Sequence, residues 1–108
     1  MIGIPLQEAF DDALRECYDP ETGIPVTDMG LVYGVDWAEA DRRVTVTMTL
    51  TTPACPMGDA IQHIVERRLS LVPGVAEVDV RLVFDPPWTP ARITKEGRMA
   101  LGIDEEDL

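Results

Sequence analysis

The strongest constraint on the fold is a stretch of strict alternation between apolar residues and threonine at residues 43–52, RVTVTMTLTT. Its apolar residues, Val44, Val46, Met48 and Leu50, are each followed by a threonine. A period of two places successive side chains on opposite faces of the chain, so the stretch predicts a β-strand with one face in a core. Such a strand needs neighbouring strands and a covering layer, which the rest of the chain must supply.

Other periodic stretches predict those elements. They predict helices over residues 5–17, 56–72 and 94–101, and strands over residues 31–37 and 75–84. The core-facing rows expected of these two strands are Leu31, Tyr33, Val35 and Trp37 in one, and Val78, Val80, Leu82 and Phe84 in the other. Thr94 is expected to cap the last helix and Gly102 to end it. The order α-β-β-α-β-α predicts an α+β fold, a two-layer sandwich of a small three-stranded mixed or antiparallel sheet with helices on one face.

The chain's length and charge limit its class. With 108 residues it suits a single domain over residues 1–108, in which the acidic end, residues 103–108, is expected to be frayed. No apolar run approaches the roughly 20 residues of a membrane span, and the N-terminus does not resemble a signal peptide, so we expect a cytoplasmic protein. The formal net charge of −11 argues against binding to nucleic acid or to anionic membranes.

The metal-ligating residues are few. Cys17, Cys55 and His63 are the only cysteines and histidine, and no CxxC is present. Their number and spacing exclude a disulfide framework and a closed four-ligand zinc site within one chain. A metal bound here would need carboxylates, an exogenous ligand or a second subunit.

Cys55 follows a proline-bounded turn and precedes the second predicted helix. Pro56 suits the first helical position, which makes Cys55 the predicted N-cap. The unpaired amides and the positive dipole end of a helix favour thiolate over thiol, and Thr51 and Thr52 add hydroxyl donors for a sulfur or a sulfide. The alternative interpretation is a buried cysteine that only packs, and the spacing alone does not decide between the two.

The other candidate residues have structural explanations. Cys17 falls on the apolar row of the first helix and is predicted to be a core residue, whereas His63 is predicted to lie on a polar face. Asp19, Glu21 and Asp28 lie in one long connection. Asp19 could form a turn with the backbone, and Asp28 could do the same or cap the chain's entry to the first strand. Trp88 is expected to fill part of the core.

Three motifs resemble a known family. They are DPETGIPVTDMGLVYGV at residues 19–35, TLTTPACPM at residues 49–57 and VRLVFDPPWTP at residues 80–90. In order and spacing they resemble the signatures of the iron–sulfur cluster assembly domain family, the metal–sulfur cluster biosynthetic proteins with SufT-type and PaaD-like members. The resemblance covers roughly residues 6–102.

The resemblance implies an accessory factor in cluster maturation, not an enzyme, that works with the assembly machinery and apo recipient proteins. It maps the family's reactive cysteine onto Cys55, its threonine pair onto Thr51 and Thr52, and its acidic loop positions onto Asp19, Glu21 and Asp28. PaaD-like members carry a cysteine-rich C-terminal region that this sequence lacks. We therefore expect a SufT-type role, with a PaaD-like role in oxygenase maturation as an alternative.

The residues and the resemblance leave three alternative functions. The first is a carrier of a transient iron–sulfur cluster; because clusters usually take four protein ligands, Cys55 would share it with a second subunit of a homodimer, a partner or a small thiol. The second is a metal-free adaptor that docks cluster recipients. The third is a thiol enzyme, which the absence of a second cysteine and of a base near Cys55 in the sequence argues against.

Overall fold

A computed structural model describes residues 6–52 and 58–102 of the chain. The elements follow the predicted order α-β-β-α-β-α, and a single 3-10 turn, Pro90–Arg92, precedes the last helix. They are α1, Leu6–Arg15; β1, Val32–Ala38; β2, Arg43–Met48; α2, Gly58–Ser70; β3, Glu77–Leu82; and α3, Lys95–Leu101. Within the described ranges, no helix is long and apolar enough to cross a membrane.

The three strands form one mixed sheet in the order β1-β2-β3. β1 and β2 pair antiparallel, as expected of a hairpin, with Trp37 opposite Val44 and Val35 opposite Val46. β2 and β3 pair parallel, with Val44 opposite Val78, and α2 makes the long connection that parallel neighbours need. β2 is therefore the central strand, and this explains why its alternation is the clearest in the sequence.

The core lies between the inner face of the sheet and the two longer helices. Val44, Val46 and Met48 of the central strand have no solvent exposure. Phe10 of α1 packs against Trp37 of β1 with ring centroids 5.5 Å apart, and α2 packs against both β3 and α1. The apolar rows of α1 and α2 thus cover the same face of the sheet, which confirms the two-layer arrangement.

The predicted core-facing row of β1 is wrong at Tyr33. The register shifts between Val32 and Gly34, so the strand carries a β-bulge with one extra residue. Val32 is opposite Met48, and Val35 is opposite Val46, so both are on the core side, whereas Tyr33 does not pack with the core cluster. Strict period-two reasoning fails at Val32 and Tyr33 because the bulge reverses their facing, whereas Leu31, which precedes the strand, is buried as predicted.

The strand ends also differ from the prediction. β2 ends at Met48 and β3 at Leu82, although Val83 still donates its amide to the Met48 carbonyl at 2.9 Å. Phe84, expected in the core row, is 40% exposed because the chain leaves the sheet before it. The predicted helical residues 56–57 and the frayed tail 103–108 lie outside the described residues.

Candidate functional site

The candidate site residues Thr51 and Thr52 lie where all three strands meet at one end of the sheet. Thr49 donates its amide to the Leu31 carbonyl at 2.8 Å, which holds the chain after β2 beside the start of β1. The bond from Val83 to Met48 brings the end of β3 to the same place. Thr51, two residues after Thr49, is half-buried, and Thr52 is exposed.

The start of α2 packs against the chain just before these threonines. Leu50 is buried, and so is Gly58, the first residue of α2. A Cβ added at Gly58 would lie 2.8 Å from Leu50 Cδ1, which shows how closely the α2 backbone approaches the Leu50 side chain. The described chain on both sides of residues 53–57 is therefore fixed against the core.

Cys55 falls within residues 53–57, outside the described part of the chain. Its assignment as helix N-cap, thiolate and cluster ligand therefore stays a prediction. Thr52 precedes it by three residues and Gly58 follows it by three.

Asp19 is a turn-forming residue. Its side chain is 2% exposed, and its Oδ1 accepts the Glu21 amide at 2.8 Å, the bond to the backbone two residues on that the sequence suggested. Its carbonyl accepts the Gly23 amide at 2.7 Å, and its own amide donates to Ile24 at 2.8 Å. These three bonds close the first half of the long connection, with Glu21 exposed at the turn.

Asp28 ties the second half of that connection to the C-terminal helix. Its Oδ1 accepts the Thr94 hydroxyl at 3.1 Å, and its carbonyl accepts the Thr94 amide at 2.8 Å. Thr94 is the N-cap of α3, as predicted, and its Oγ1 accepts the Gly97 amide at 3.1 Å. Asp28 and Asp19 thus have different partners, so the structure does not join these two carboxylates in one contact.

The segment from Trp88 to Thr94 reinforces this attachment. The Trp88 indole, half-buried against the core, donates Nε1–H to the Met29 carbonyl at 2.6 Å. Gly30 has φ +74°, and a Cβ there would approach the Arg92 carbonyl oxygen to 2.3 Å, so only glycine fits. The sequence indicated Thr94 as a cap and Trp88 as a core residue but gave no signal that both would bind the turn around Asp28.

Cys17 lies in the core, as predicted, and its thiol is buried and protonated at neutral pH. It has no solvent exposure, and its thiol donates to the Ala13 carbonyl at 3.5 Å. Burial raises the pKa of the Cys17 thiol from 9.0 to about 11; Arg68 opposes the shift and Glu16 adds to it. The neutral thiol is therefore its form at neutral pH.

His63 is exposed on α2, as the sequence indicated. In the described ranges, no group of three or more His, Cys, Asp or Glu side chains is arranged to hold a metal ion. Of the acidic residues in the long connection, Asp19 closes a turn, and Asp28 binds Thr94 at the start of α3.

The sequence matches one known protein family over most of its length. The family model for iron–sulfur cluster assembly protein matches residues 7–80, from α1 into β3. The chain belongs to the iron–sulfur cluster assembly protein family. The matched residues include the first two sequence motifs, whereas the DPPW motif lies beyond them.

Curated relatives carry names from cluster maturation. The chain is 39% identical over 98 residues to the Fe–S protein maturation auxiliary factor YitW of Bacillus subtilis, covering 91% of this chain and 95% of that protein. It is 39% identical over 85 residues to the auxiliary factor SufT of Staphylococcus aureus, covering 79% and 96%. An iron–sulfur cluster carrier protein of Mycobacterium leprae is 36% identical over 77 residues, which are 71% of this chain but 20% of that longer protein. These names describe auxiliary and carrier factors.

A solved structure agrees with the fold. The crystal structure of a domain of unknown function from Bacillus anthracis superposes with a TM-score of 0.81 at 38% identity, covering 90% of this chain and 95% of that one. At this identity the likeness reaches beyond the fold to the family.

Proposed function

We propose that this protein is an accessory factor in iron–sulfur cluster assembly that carries clusters, or helps to transfer them, to recipient proteins through Cys55. The observation that supports this most is the 39% identity over 91% of the chain to a protein named as a maturation auxiliary factor. The match to the family model covers residues 7–80 and therefore includes the TLTTPACPM motif.

Cys55 is proposed as the ligand because of the chain around it. It precedes Gly58, the first described residue of α2, by three positions. The amides of a helix N-terminus stabilise a thiolate, and a thiolate is the form that binds iron. Thr51 and Thr52, at the sheet end on the other side of Cys55, supply hydroxyl groups that can donate to sulfide.

The acidic loop residues have a supporting role in this proposal. Asp19 closes a turn in the connection that leads into β1, and Asp28 ties that connection to Thr94 of the C-terminal segment. Thr49 lies beside the start of β1. Asp19 and Asp28 therefore position the sheet end on which Thr51 and Thr52 lie, and they are not proposed as cluster ligands. Glu21 completes the turn around Asp19 through its backbone amide.

The remaining cluster ligands must come from elsewhere. Cys17 is enclosed in the core, and its raised pKa keeps it protonated at neutral pH. One cysteine cannot hold a cluster that usually takes four protein ligands. The cargo would be shared with the assembly machinery, an apo recipient, a small thiol or a second subunit, and such partial ligation suits a cluster that has to leave.

A transfer assay tests the proposal. The protein is loaded anaerobically with iron and sulfide, separated from free ions, and mixed with apo-aconitase in the presence of an iron chelator. Wild type should restore aconitase activity, Cys55→Ser should restore none above the chelated control, and Cys17→Ala should behave as wild type. Equal transfer by Cys55→Ser would contradict the role of Cys55 and favour a metal-free adaptor.

A further inference from the structure

The outer edge of β3 is one of the two unpaired edges of the described sheet. In the described ranges β3 pairs only with β2. After Leu82 the chain crosses toward β1, where the Pro86 carbonyl accepts the Tyr33 hydroxyl at 2.8 Å and Trp88 binds Met29. The described residues that follow β3 therefore leave its outer edge open.

The backbone groups on this edge belong to alternate residues. Glu77 and Val83 donate their amides to Arg42 and Met48 on the β2 side. Because a parallel strand directs both polar groups of a residue to the same side, Val78, Val80 and Leu82 direct theirs outward. A row of unpaired amides and carbonyls of this kind is a template for another strand.

The side chains of the same three residues are also incompletely covered. Val78, Val80 and Leu82 are half-buried, whereas their partners Val44, Val46 and Met48 in β2 are not exposed at all. The apolar side chains on the inner face of the sheet are therefore less completely buried in β3 than in β2. An added strand with apolar residues on its inner side would complete the burial of those in β3.

The charged row on the outer face of β3 is self-complementary. Asp79 and Arg81 alternate with the apolar row, and Arg81 Nε lies 3.0 Å from Asp79 Oδ2, with both side chains at least 40% exposed. If two copies of VDVRL run antiparallel about Val80, Asp79 of each copy faces Arg81 of the other. Val78 then faces Leu82, and Val80 faces Val80.

We propose that the β3 edge binds β3 of a second copy of this chain, antiparallel and centred on Val80, to form a continuous six-stranded sheet. In this register Val80 and the Val78–Leu82 pairs exchange backbone hydrogen bonds. The Asp79–Arg81 pairs occupy the closer, non-hydrogen-bonded positions, where cross-strand charge pairs interact most strongly.

Charge selects this register over its neighbours. Centring the pair on Asp79 places two aspartates opposite each other, and centring it on Arg81 places two arginines opposite each other. Like charges directly opposite are destabilising, so only the register about Val80 pairs every charge of this row with its opposite.

The arrangement has a consequence for the cluster. Antiparallel β3 strands place the two Thr51–Thr52 ends at opposite ends of the six-stranded sheet. The dimer therefore does not share one cluster between two copies of Cys55, and each site completes its ligands from a partner or a small thiol. The interface itself does not depend on the proposed function, because it involves neither Cys55 nor the threonines.

Charge reversal tests the interface with matched controls. Asp79→Arg makes positions 79 and 81 both basic, and Arg81→Asp makes them both acidic. Sedimentation velocity over a concentration series should show a concentration-dependent dimer for wild type and association weaker by about tenfold or more for each variant alone. An equimolar mixture of the two variants should form a heterodimer, identified by its mass in native mass spectrometry. Circular dichroism checks that both variants are folded.

The double variant Asp79→Arg/Arg81→Asp provides the second control, because it exchanges the charges and should dimerise as wild type does. A wild type that stays monomeric over the whole series would overturn the proposal. A dimer unaffected by either single variant would place the interface on another surface and overturn it equally. Cluster transfer to apo-aconitase is read separately, so either proposal can fail while the other stands.

Discussion

The two cysteines of this small chain follow different kinds of segment. Cys17 follows α1, faces the core and has no contact with solvent. In the sequence, Cys55 stands between two prolines, after the end of β2 and before the described start of α2. These two positions in the sequence predict different reactivities for the two thiols.

The two regions are also held in different ways. The Cys17 region is held by apolar burial, which excludes water and raises the thiol pKa. The sheet end that carries Thr51 and Thr52 is held by polar attachments, among them the hydrogen bonds from Thr94 to Asp28 and from Trp88 to Met29.

The two thiols should differ most in their rate of alkylation. A thiol with a pKa of about 11 has only a minute thiolate fraction at pH 7, and burial also blocks access to Cys17. We expect iodoacetamide to modify Cys55, measured in Cys17→Ala, more than about 100-fold faster than Cys17, measured in Cys55→Ser. In urea the two rates should converge. Similar rates in the folded protein would remove the distinction between the regions.

Burial of Cys17 should also make stability depend on pH. Its folded pKa of about 11 exceeds the ordinary value of 9.0, so the unfolded chain loses the thiol proton first as the pH rises. The stabilisation is complete below pH 9 and is lost between about pH 9 and pH 11, by on the order of 2 kcal/mol. Urea unfolding of wild type and Cys17→Ala measures it, since other titrating groups cancel in the difference. A constant difference between the two proteins over this range would show that the buried thiol does not titrate as stated.

The polar attachment at the sheet end should depend on the Thr94 hydroxyl. Thr94→Ala removes both the α3 cap and the bond to Asp28, for an expected loss of about 1–2 kcal/mol in the free energy of unfolding. Thr94→Ser keeps the hydroxyl and should lose less than half as much. Equal losses in the two variants would mean that the methyl group, and not the hydrogen bonds, stabilises this region.

The smallest effect is expected where α2 meets Leu50. Gly58→Ala should cost less than about 1 kcal/mol, because the crowded atom, Leu50 Cδ1, ends a side chain that can move. In a Leu50→Ala background the same substitution should be neutral or slightly stabilising, since the contact is gone and alanine favours helix. Additive effects of the two substitutions in urea unfolding would show that the segments do not pack as described.

Residues with local signals could be predicted from the sequence. The alternation at residues 43–52 indicated the central strand, and Thr94 and Gly102 were recognised as the cap and the end of α3, which the structure confirms. Asp19 was recognised as a turn former because its bond reaches only two residues along the chain. Each of these signals depends on neighbours within a few positions.

The features that could not be predicted are those set by distant residues. The bulge at Tyr33 depends on pairing with β2, and periodicity in β1 alone gives no sign of it. The hydrogen bonds from Thr94 to Asp28 and from Trp88 to Met29 join residues 66 and 59 positions apart. Phe84 alternates correctly but is exposed, because the chain turns toward β1 before reaching it. Such contacts follow from the fold and leave no local pattern.

Cluster retention after anaerobic reconstitution with iron and sulfide tests most directly whether Cys55 binds the cluster. Iron and acid-labile sulfide are counted after desalting, and visible absorbance identifies the cluster, for wild type, Cys55→Ser and Cys17→Ala. If Cys55 is the cluster ligand, wild type and Cys17→Ala should retain the same amount of cluster, and Cys55→Ser should retain almost none. Equal retention by Cys55→Ser, or a loss confined to Cys17→Ala in a protein that remains folded, would contradict the assignment of Cys55 as the ligand.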